Sequence, residues 1–330
     1  MRYYRQTLSG RDGRLTKADV KRNYGGYRNG QGDGPRGTPI VDGDRVYAEG
    51  GNGDVTCLDA ATGETIWYLN LVRDLSGGRP GWGYCESPLV VGDMLIVTPG
   101  GNLGTIAALD KMTGKVVWRS KDVKQGAHYS SPMLAEIGGI QQIVQFARKS
   151  VFGVRLDDGG ALWSYSGANN GTANVCTPII DGDYVLVSSA YGTGTGLAKV
   201  TTNGESQTAD EVYFEKKLAV HHGGIIKVDD YIYALGNNSL ICMDFATGKI
   251  AWQARSVGKG SLCYADGHLY LLSERDEVAL VEVNPNKYIE RGRFKIPRSD
   301  RPSWSHPVVA NGRFYIRDQG SLTCYDVRAN

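Results

Sequence analysis

The stretch TPIVDGDRVYAEGGNGDVTCLDAATGETIWYL, residues 38–69, carries the pattern that decides the fold. It contains four short strand-like runs separated by turns at Asp42-Gly43, at residues 50–53 and at Thr62-Gly63. An Asp-Gly pair favours a two-residue hairpin because such turns need positive φ. The stretch therefore predicts a four-stranded antiparallel sheet, with Trp67 on the outer strand covering the seam to the next sheet.

This unit occurs seven times along the chain, and successive openings are 49, 44, 46, 46, 38 and 45 residues apart. A β-type repeat with a period in the forties is typical of propeller blades. We therefore predict an all-β fold, a β-propeller of about seven four-stranded blades, with eight blades as the alternative. The openings are Thr38-Pro39, Ser87-Pro88, Ser131-Pro132, Thr177-Pro178, Gly223-Gly224, Ser261-Leu262 and His306-Pro307.

The last repeat stops at CYDVRAN, residues 324–330, before a fourth strand. An open sheet edge invites pairing with other chains, so another segment should cover it. The N-terminal run RYYRQTL, residues 2–8, alternates like a short strand and is predicted to fill this place. The predicted organisation is a closing strand and connector over 1–37 and a propeller over 38–330, forming a single domain.

The connector contains SGRDGRLTKADV, residues 9–20, which resembles the second half of a calcium-binding EF-hand loop. Asp12, Gly13 and Asp19 fall at matching positions, but Leu8 and Gly10 stand where the first two ligands belong. We expect a turn that leads into a short helix near residues 16–22, with calcium binding as the alternative.

Charge and composition exclude some classes of partner. The chain has 37 basic and 35 acidic residues, a net charge of +2, which gives no reason to expect binding to nucleic acid or to an anionic membrane. No apolar run reaches the ~18 to 20 residues of a membrane span. The start lacks the apolar segment of a secretory signal. The six cysteines form no metal-binding spacing and leave the compartment open.

The phrases GKVVWRSKD, GWGYCESPLV, NGTANVCTPI and SVGKGSLCYADGHLYLLSE resemble the repeats of the pyrroloquinoline-quinone (PQQ) type propeller superfamily. This superfamily includes quinoprotein alcohol dehydrogenases and the propeller lipoprotein of bacterial outer-membrane assembly. The resemblance covers residues 38–330 and implies a periplasmic or extracytoplasmic location. The dehydrogenases have eight blades, adjacent cysteines and a calcium site, whereas this chain has seven repeats, no adjacent cysteines and no matching acidic set.

The segments that precede the seven innermost strands should meet at the mouth of the central channel. Four of the five histidines of the chain lie in these segments. They form either a polar rim that satisfies its own hydrogen bonds or a site for a small molecule or peptide. The candidate ligand-binding residues are Arg36, Tyr84, Glu86, His128, Tyr129, Asn174, His221, His222, Lys259, Trp304 and His306.

A metal site made of His221, His222, His306 and Glu86 is not favoured, because adjacent residues of a strand point to opposite faces. We therefore predict no metal and assign no catalytic residue. The favoured function is a non-enzymatic, monomeric propeller that binds a protein or small ligand at the channel mouth, without a cofactor. The alternative is a PQQ-dependent alcohol dehydrogenase that holds PQQ and calcium at the same mouth, and a hydrolase or lyase ranks last.

Overall fold

The structure is a computed structural model that describes residues 3–7, 30, 36–236, 238–297 and 301–328. In these residues the chain forms seven four-stranded antiparallel sheets and no helix. The predicted fold class, a seven-bladed β-propeller, is confirmed. The predicted turn, calcium alternative and helix within residues 9–22 lie outside the described residues.

The strands fall into two compact units. The three-blade unit comprises Met1–Ser9, Ala190–Thr195 and Glu215–Asn330, and the four-blade unit comprises Gly10–Ser189 and Gly196–Phe214. Strand β1 (Tyr3–Thr7) belongs to the three-blade unit. The four-blade unit contains four sheets. The first is β2 (Ile40–Asp42), β3 (Arg45–Glu49), β4 (Asp54–Asp59) and β5 (Thr65–Asn70), and the second is β6 (Leu89–Val91), β7 (Met94–Val97), β8 (Ala107–Asp110) and β9 (Val116–Arg119). The third is β10 (Met133–Ile137), β11 (Ile140–Phe146), β12 (Val151–Arg155) and β13 (Ala161–Tyr165). The fourth is β14 (Ile179–Asp181), β15 (Tyr184–Ser189), β16 (Gly194–Asn203) and β17 (Ser206–Glu215), of which Gly194, Thr195 and Glu215 fall in the three-blade unit.

The three-blade unit is built in the same way, and each of its sheets follows chain order except for one borrowed strand. Its remaining strands are β18 (Val220–Val228), β19 (Tyr231–Gly236), β20 (Ser239–Asp244) and β21 (Ile250–Ala254); β22 (Gly260–Ala265), β23 (His268–Ser273), β24 (Glu277–Glu282) and β25 (Glu290–Lys295); and β26 (Val308–Ala310), β27 (Arg313–Asp318) and β28 (Ser321–Asp326).

The borrowed strand is β1, which completes the last blade. It pairs antiparallel with β28, with Tyr3 opposite Tyr325 and Thr7 opposite Ser321. The sheet order β1-β28-β27-β26 places it at the outer edge, as predicted. The division into segments 1–37 and 38–330 stays a prediction.

The first hairpin of each blade depends on residues that accept positive φ. Asp266 and Gly267 have φ of 47° and 73°, and Asn311 and Gly312 have φ of 50° and 68°. Two consecutive positive φ values match the right-handed twist of the strands on either side. In the first blade the loop is Gly43-Asp44, one residue later than predicted, because Asp42 still pairs with Arg45 in the ladder.

The outer-strand tryptophans connect neighbouring blades. In three of them the indole N–H donates a hydrogen bond to a backbone carbonyl in the third turn of the following blade, so the predicted cover of the seam also fixes its register, whereas Trp163 donates to Gln142 Oε1 of its own blade at 2.6 Å. The pairs are Trp67 with Lys111 (2.9 Å), Trp118 with Leu156 (2.9 Å) and, in the three-blade unit, Trp252 with Asn284 (2.8 Å).

Each unit has its own apolar core between adjacent sheets. In the four-blade unit the fully buried side chains include Tyr47, Leu71 and Leu95, and in the three-blade unit they include Tyr233 and Leu269. Inward-facing positions of neighbouring sheets interdigitate here, which is the usual core of stacked blades. No helix in the described residues is long and apolar enough to cross a membrane.

Candidate functional site

The structure distributes the eleven predicted site residues over both units. Whether they form one surface stays a prediction, so each group is described within its own unit. The four-blade unit contains Arg36, Tyr84, Glu86, His128, Tyr129 and Asn174, and the three-blade unit contains His221, His222, Lys259, Trp304 and His306.

His128 and Asn174 are buried and bonded to each other. The backbone N–H of Asn174 donates to His128 Nδ1 at 2.9 Å. The side-chain amide of Asn174 donates to the Ala147 carbonyl at 2.8 Å and accepts from the Asn170 N–H at 3.0 Å. Burial, with a contribution from the nearby Arg148 charge, lowers the pKa of His128 to about 4, so the ring is neutral at pH 7. This pair fixes the backbone of two adjacent blades.

The neighbouring aromatic residues extend this packing. The Tyr129 ring stacks on His128 with centroids 4.7 Å apart, and its hydroxyl accepts a hydrogen bond from the Trp82 N–H at 3.3 Å. Arg36 donates to the Trp82 carbonyl at 2.8 Å. Tyr84 is fully buried and its hydroxyl donates to the Pro99 carbonyl at 2.9 Å. In this group, Arg36 and Trp82 are only half-buried and present part of their surface to solvent.

Glu86 forms a buried carboxyl pair with Glu49, a residue that the sequence analysis missed. Glu86 is 0% exposed, and its Oε1 accepts from the Thr98 N–H at 3.1 Å while Oε2 has no partner among the described residues. Glu49 is 5% exposed, and neither of its carboxyl oxygens has a partner there. Burial raises the pKa of both carboxyls well above the usual range, and the charge of Glu49 raises that of Glu86 further.

In the three-blade unit, three donors converge on one oxygen of Glu274. Its Oε1 accepts from His222 Nε2 at 2.9 Å, from Lys259 Nζ at 3.0 Å and from Trp304 Nε1 at 2.7 Å. Burial alone would raise the pKa of Glu274, but the hydrogen bonds and charges of His222 and Lys259 lower it to about 2. Glu274 is therefore ionised at every pH near neutrality and acts as an acceptor only.

His221 lies beside this carboxylate. Its Nε2 is 2.9 Å from the Tyr191 hydroxyl, and its ring centroid is 5.2 Å from that of His222. Burial and the Lys259 charge lower the pKa of His221 to about 4, so its imidazole is neutral at pH 7. His306 Nε2 donates to the His222 carbonyl at 2.8 Å. We call Tyr191, His221, His222, Lys259, Glu274, Trp304 and His306 the histidine cluster.

The expectation that His221 and His222 point to opposite faces is wrong. The register of β18 against β19 breaks between Val220, opposite Gly236, and Ile225, opposite Ala234. The four residues 221–224 of β18 therefore lie opposite the single residue Leu235 of β19, and the alternation of a regular strand is lost. Both imidazoles consequently lie on the same side, within reach of Glu274.

Glu49 and Glu274 were missed for one reason. The predicted site comprised only the segments before the innermost strands, whereas Glu49 and Glu274 lie at or just after the end of the second strand of their blades. Antiparallel pairing returns that end to the segment before the innermost strand. In the first blade, Ile40 pairs with Tyr47, and continuing this register places Glu49 opposite Thr38. A search for charged residues both in the segment before the innermost strand and at the end of the second strand would have found Glu49 and Glu274.

The fold and its repeats define a PQQ-like β-propeller. Residues 8–254 match the family model described as outer membrane protein assembly factor BamB, and the chain belongs to this family. It is 24% identical over 275 residues to BamB of Moranella endobia, covering 78% of this chain and 68% of that protein. It is 23% identical over 301 residues to BamB of Yersinia pestis, covering 85% and 71% respectively.

Solved structures show the same fold. BamB from Moraxella catarrhalis superposes with a TM-score of 0.65 at 15% identity, over 98% of this chain and 100% of that one. A quinohemoprotein alcohol dehydrogenase from Comamonas testosteroni superposes with a TM-score of 0.58 at 11% identity, over 89% and 67%. At these identities the likeness shows a common fold, and one propeller fold serves unrelated functions.

Proposed function

We propose that this chain is a non-enzymatic BamB-type propeller that binds a protein partner during outer membrane protein assembly, outside the cytoplasm. The observation that carries the proposal is the match to the BamB family model over residues 8–254. The relatives named above bear the name outer membrane protein assembly factor. A propeller in such a role acts as a rigid platform whose exposed side chains contact other proteins.

The hydrogen bonding of the candidate residues supports binding rather than chemistry. Asn174 and His128 bond to each other, and one oxygen of Glu274 accepts from three donors. A general base works best with a pKa near the working pH. The pKa values of His128, His221 and Glu274, about 4, 4 and 2, lie far from neutrality. These groups fix local structure more readily than they transfer protons.

The histidine cluster presents a surface suited to a protein partner. Tyr191 is 54% exposed, and the side chain of Lys259 is 37% exposed beside the half-buried Trp304. Hydrogen bonds to His221 and Glu274 hold the two aromatic residues in place, which reduces the entropy lost on binding. Tyr, Trp and Arg dominate binding energy at protein interfaces.

The charge of this surface indicates the chemistry of the partner. Exposed Arg275 and Arg301 belong to the same segments as Glu274 and Trp304, and Lys259 adds a third basic group. Glu274 itself is only about one-fifth exposed and is already paired. The accessible charge is therefore basic, and we expect the partner to present an acidic loop with an aromatic or apolar contact.

Site-specific photo-crosslinking tests this proposal in cells. A photoreactive amino acid at Tyr191 is expected to crosslink to a component of the outer membrane assembly machinery. The same substitution at Val41, which is 66% exposed in the four-blade unit, is the matched control and should give no such product. The absence of an assembly component from the Tyr191 products, or equal products at both positions, would count against the proposed surface.

The PQQ-dependent dehydrogenase remains an alternative prediction whose support is the shared fold. It requires the chain to retain PQQ in the presence of calcium. Mixing purified protein with both and recording the absorbance of the washed protein is a direct test. A stoichiometric bound chromophore would favour that alternative over the binding function.

A further inference from the structure

We propose that His221, His222 and Glu274 of the histidine cluster form a binding site for a divalent transition metal ion, an inference that does not rest on the proposed partner binding. One ligand atom from each residue lies within 4.8 Å of the other two. Bonds of ~2.1 Å to a tetrahedral ion place ligand atoms about 3.4 Å apart. Small side-chain rotations therefore bring the three groups to coordination distance.

The donor set selects the class of metal. Two imidazole nitrogens and one carboxylate oxygen suit Zn²⁺, Fe²⁺, Ni²⁺ or Cu²⁺ rather than Ca²⁺ or Mg²⁺, which prefer oxygen donors only. The Tyr191 hydroxyl, 2.9 Å from His221 Nε2, lies next to the site and is placed to contact a bound ion or its water. Three protein ligands leave at least one coordination position for water or another ligand.

The arrangement of the donor atoms supports coordination. His222 Nε2 lies 2.9 Å from Glu274 Oε1, and an ion that replaces the hydrogen bond between them can bind both atoms. A coordinating nitrogen must present a free lone pair, so metal binding releases any proton held there and should weaken as the pH falls.

Lys259 is the competitor of the metal ion. Its ammonium lies 3.0 Å from Glu274 Oε1 and supplies the positive charge that the carboxylate otherwise lacks. An ion that binds Glu274 must displace this ammonium or share the carboxylate with it. Removing the charge at position 259 should therefore strengthen metal binding, whereas removing any of the three ligands should weaken it. A structural ion-pair network without a metal function predicts neither effect.

The test measures Zn²⁺ binding to tag-free, chelator-stripped full-length protein by titration calorimetry, with Co²⁺ absorbance as a report on coordination. We expect one saturable site, at least tenfold weaker binding in H221A and in E274Q, and tighter binding in K259M. H268A is the matched control because His268 lies outside the cluster and bonds to the Asp266 carbonyl. Far-UV circular dichroism and melting temperatures establish that each variant is folded.

His221 is less buried than His222, so H221A is the variant least prone to unfold. The proposal is overturned by the absence of saturable binding, by unchanged affinity in folded H221A and E274Q, or by an equal loss in H268A. None of these outcomes depends on a protein partner, so the failure of the metal site leaves the proposed function untouched.

Discussion

Replacing Gly159 by Ala should destabilise the protein more than the same change at Gly63, although both residues have φ of +74° in the same kind of turn. A Cβ at position 159 would lie 2.5 Å from Trp118 Cε3, whereas a Cβ at position 63 meets nothing within 4 Å. The left-handed conformation costs a non-glycine residue roughly 1–2 kcal/mol, which both variants incur. Overpacking against a buried ring adds about 1–3 kcal/mol at position 159 alone.

We therefore expect the free energy of unfolding to fall by ~1–2 kcal/mol in G63A and by about 2–5 kcal/mol in G159A. Urea unfolding followed by circular dichroism measures both. A double variant with Trp118→Ala isolates the clash, because G159A should then cost no more than G63A. Equal losses in the two single variants would show that Trp118 moves freely, and the tryptophan link between blades would not be rigid.

Two further changes test the buried carboxyls and the closing strand. The pKa values of Glu49 and Glu86 are raised in the folded state. The contribution of these two carboxyls to the free energy of unfolding is therefore complete below about pH 4 and is lost as the pH rises through their folded pKa values. In urea unfolding, E49Q and E86Q should therefore match the stability of the parent protein at pH 4 and exceed it increasingly toward pH 8. The gain should be about 1.4 kcal/mol for each unit by which folding raises the pKa of the replaced carboxyl. A gain that does not depend on pH would contradict the raised pKa values. Deleting residues 1–8 removes β1 from β28, so the melting temperature should fall markedly or the protein aggregate, and unchanged stability would contradict closure by this strand.

Most of the fold could be predicted because its signals are local and repeated. Turn residues such as Asp266-Gly267 set the hairpins, and the outer-strand tryptophans mark where each blade meets the next. The unfilled strand of the last blade and the alternating run at the N-terminus together predicted β1. Each of these inferences needed only a short window of sequence and the count of repeats.

The arrangement of the site was less accessible to prediction. The imidazoles of His221 and His222 lie close together because the register of β18 breaks, and no single residue of the sequence predicts this break. Glu274 reaches the histidines because β23 pairs with β22 and ends beside the segment that holds Lys259. The ionisation of Glu274 depends on how many donors converge on it. These properties arise from pairing between strands, so they require the three-dimensional structure.

The most direct test of the central claim is the content of folded outer membrane β-barrel proteins in cells that lack this gene. If the chain binds a partner during outer membrane protein assembly, these proteins should decrease in the deletion strain. The wild-type gene should restore them, and a variant carrying Y191A and K259E should not, while V41A should restore them fully. Normal β-barrel levels in the deletion strain, together with normal detection of the protein in the parent strain, would contradict the proposed function.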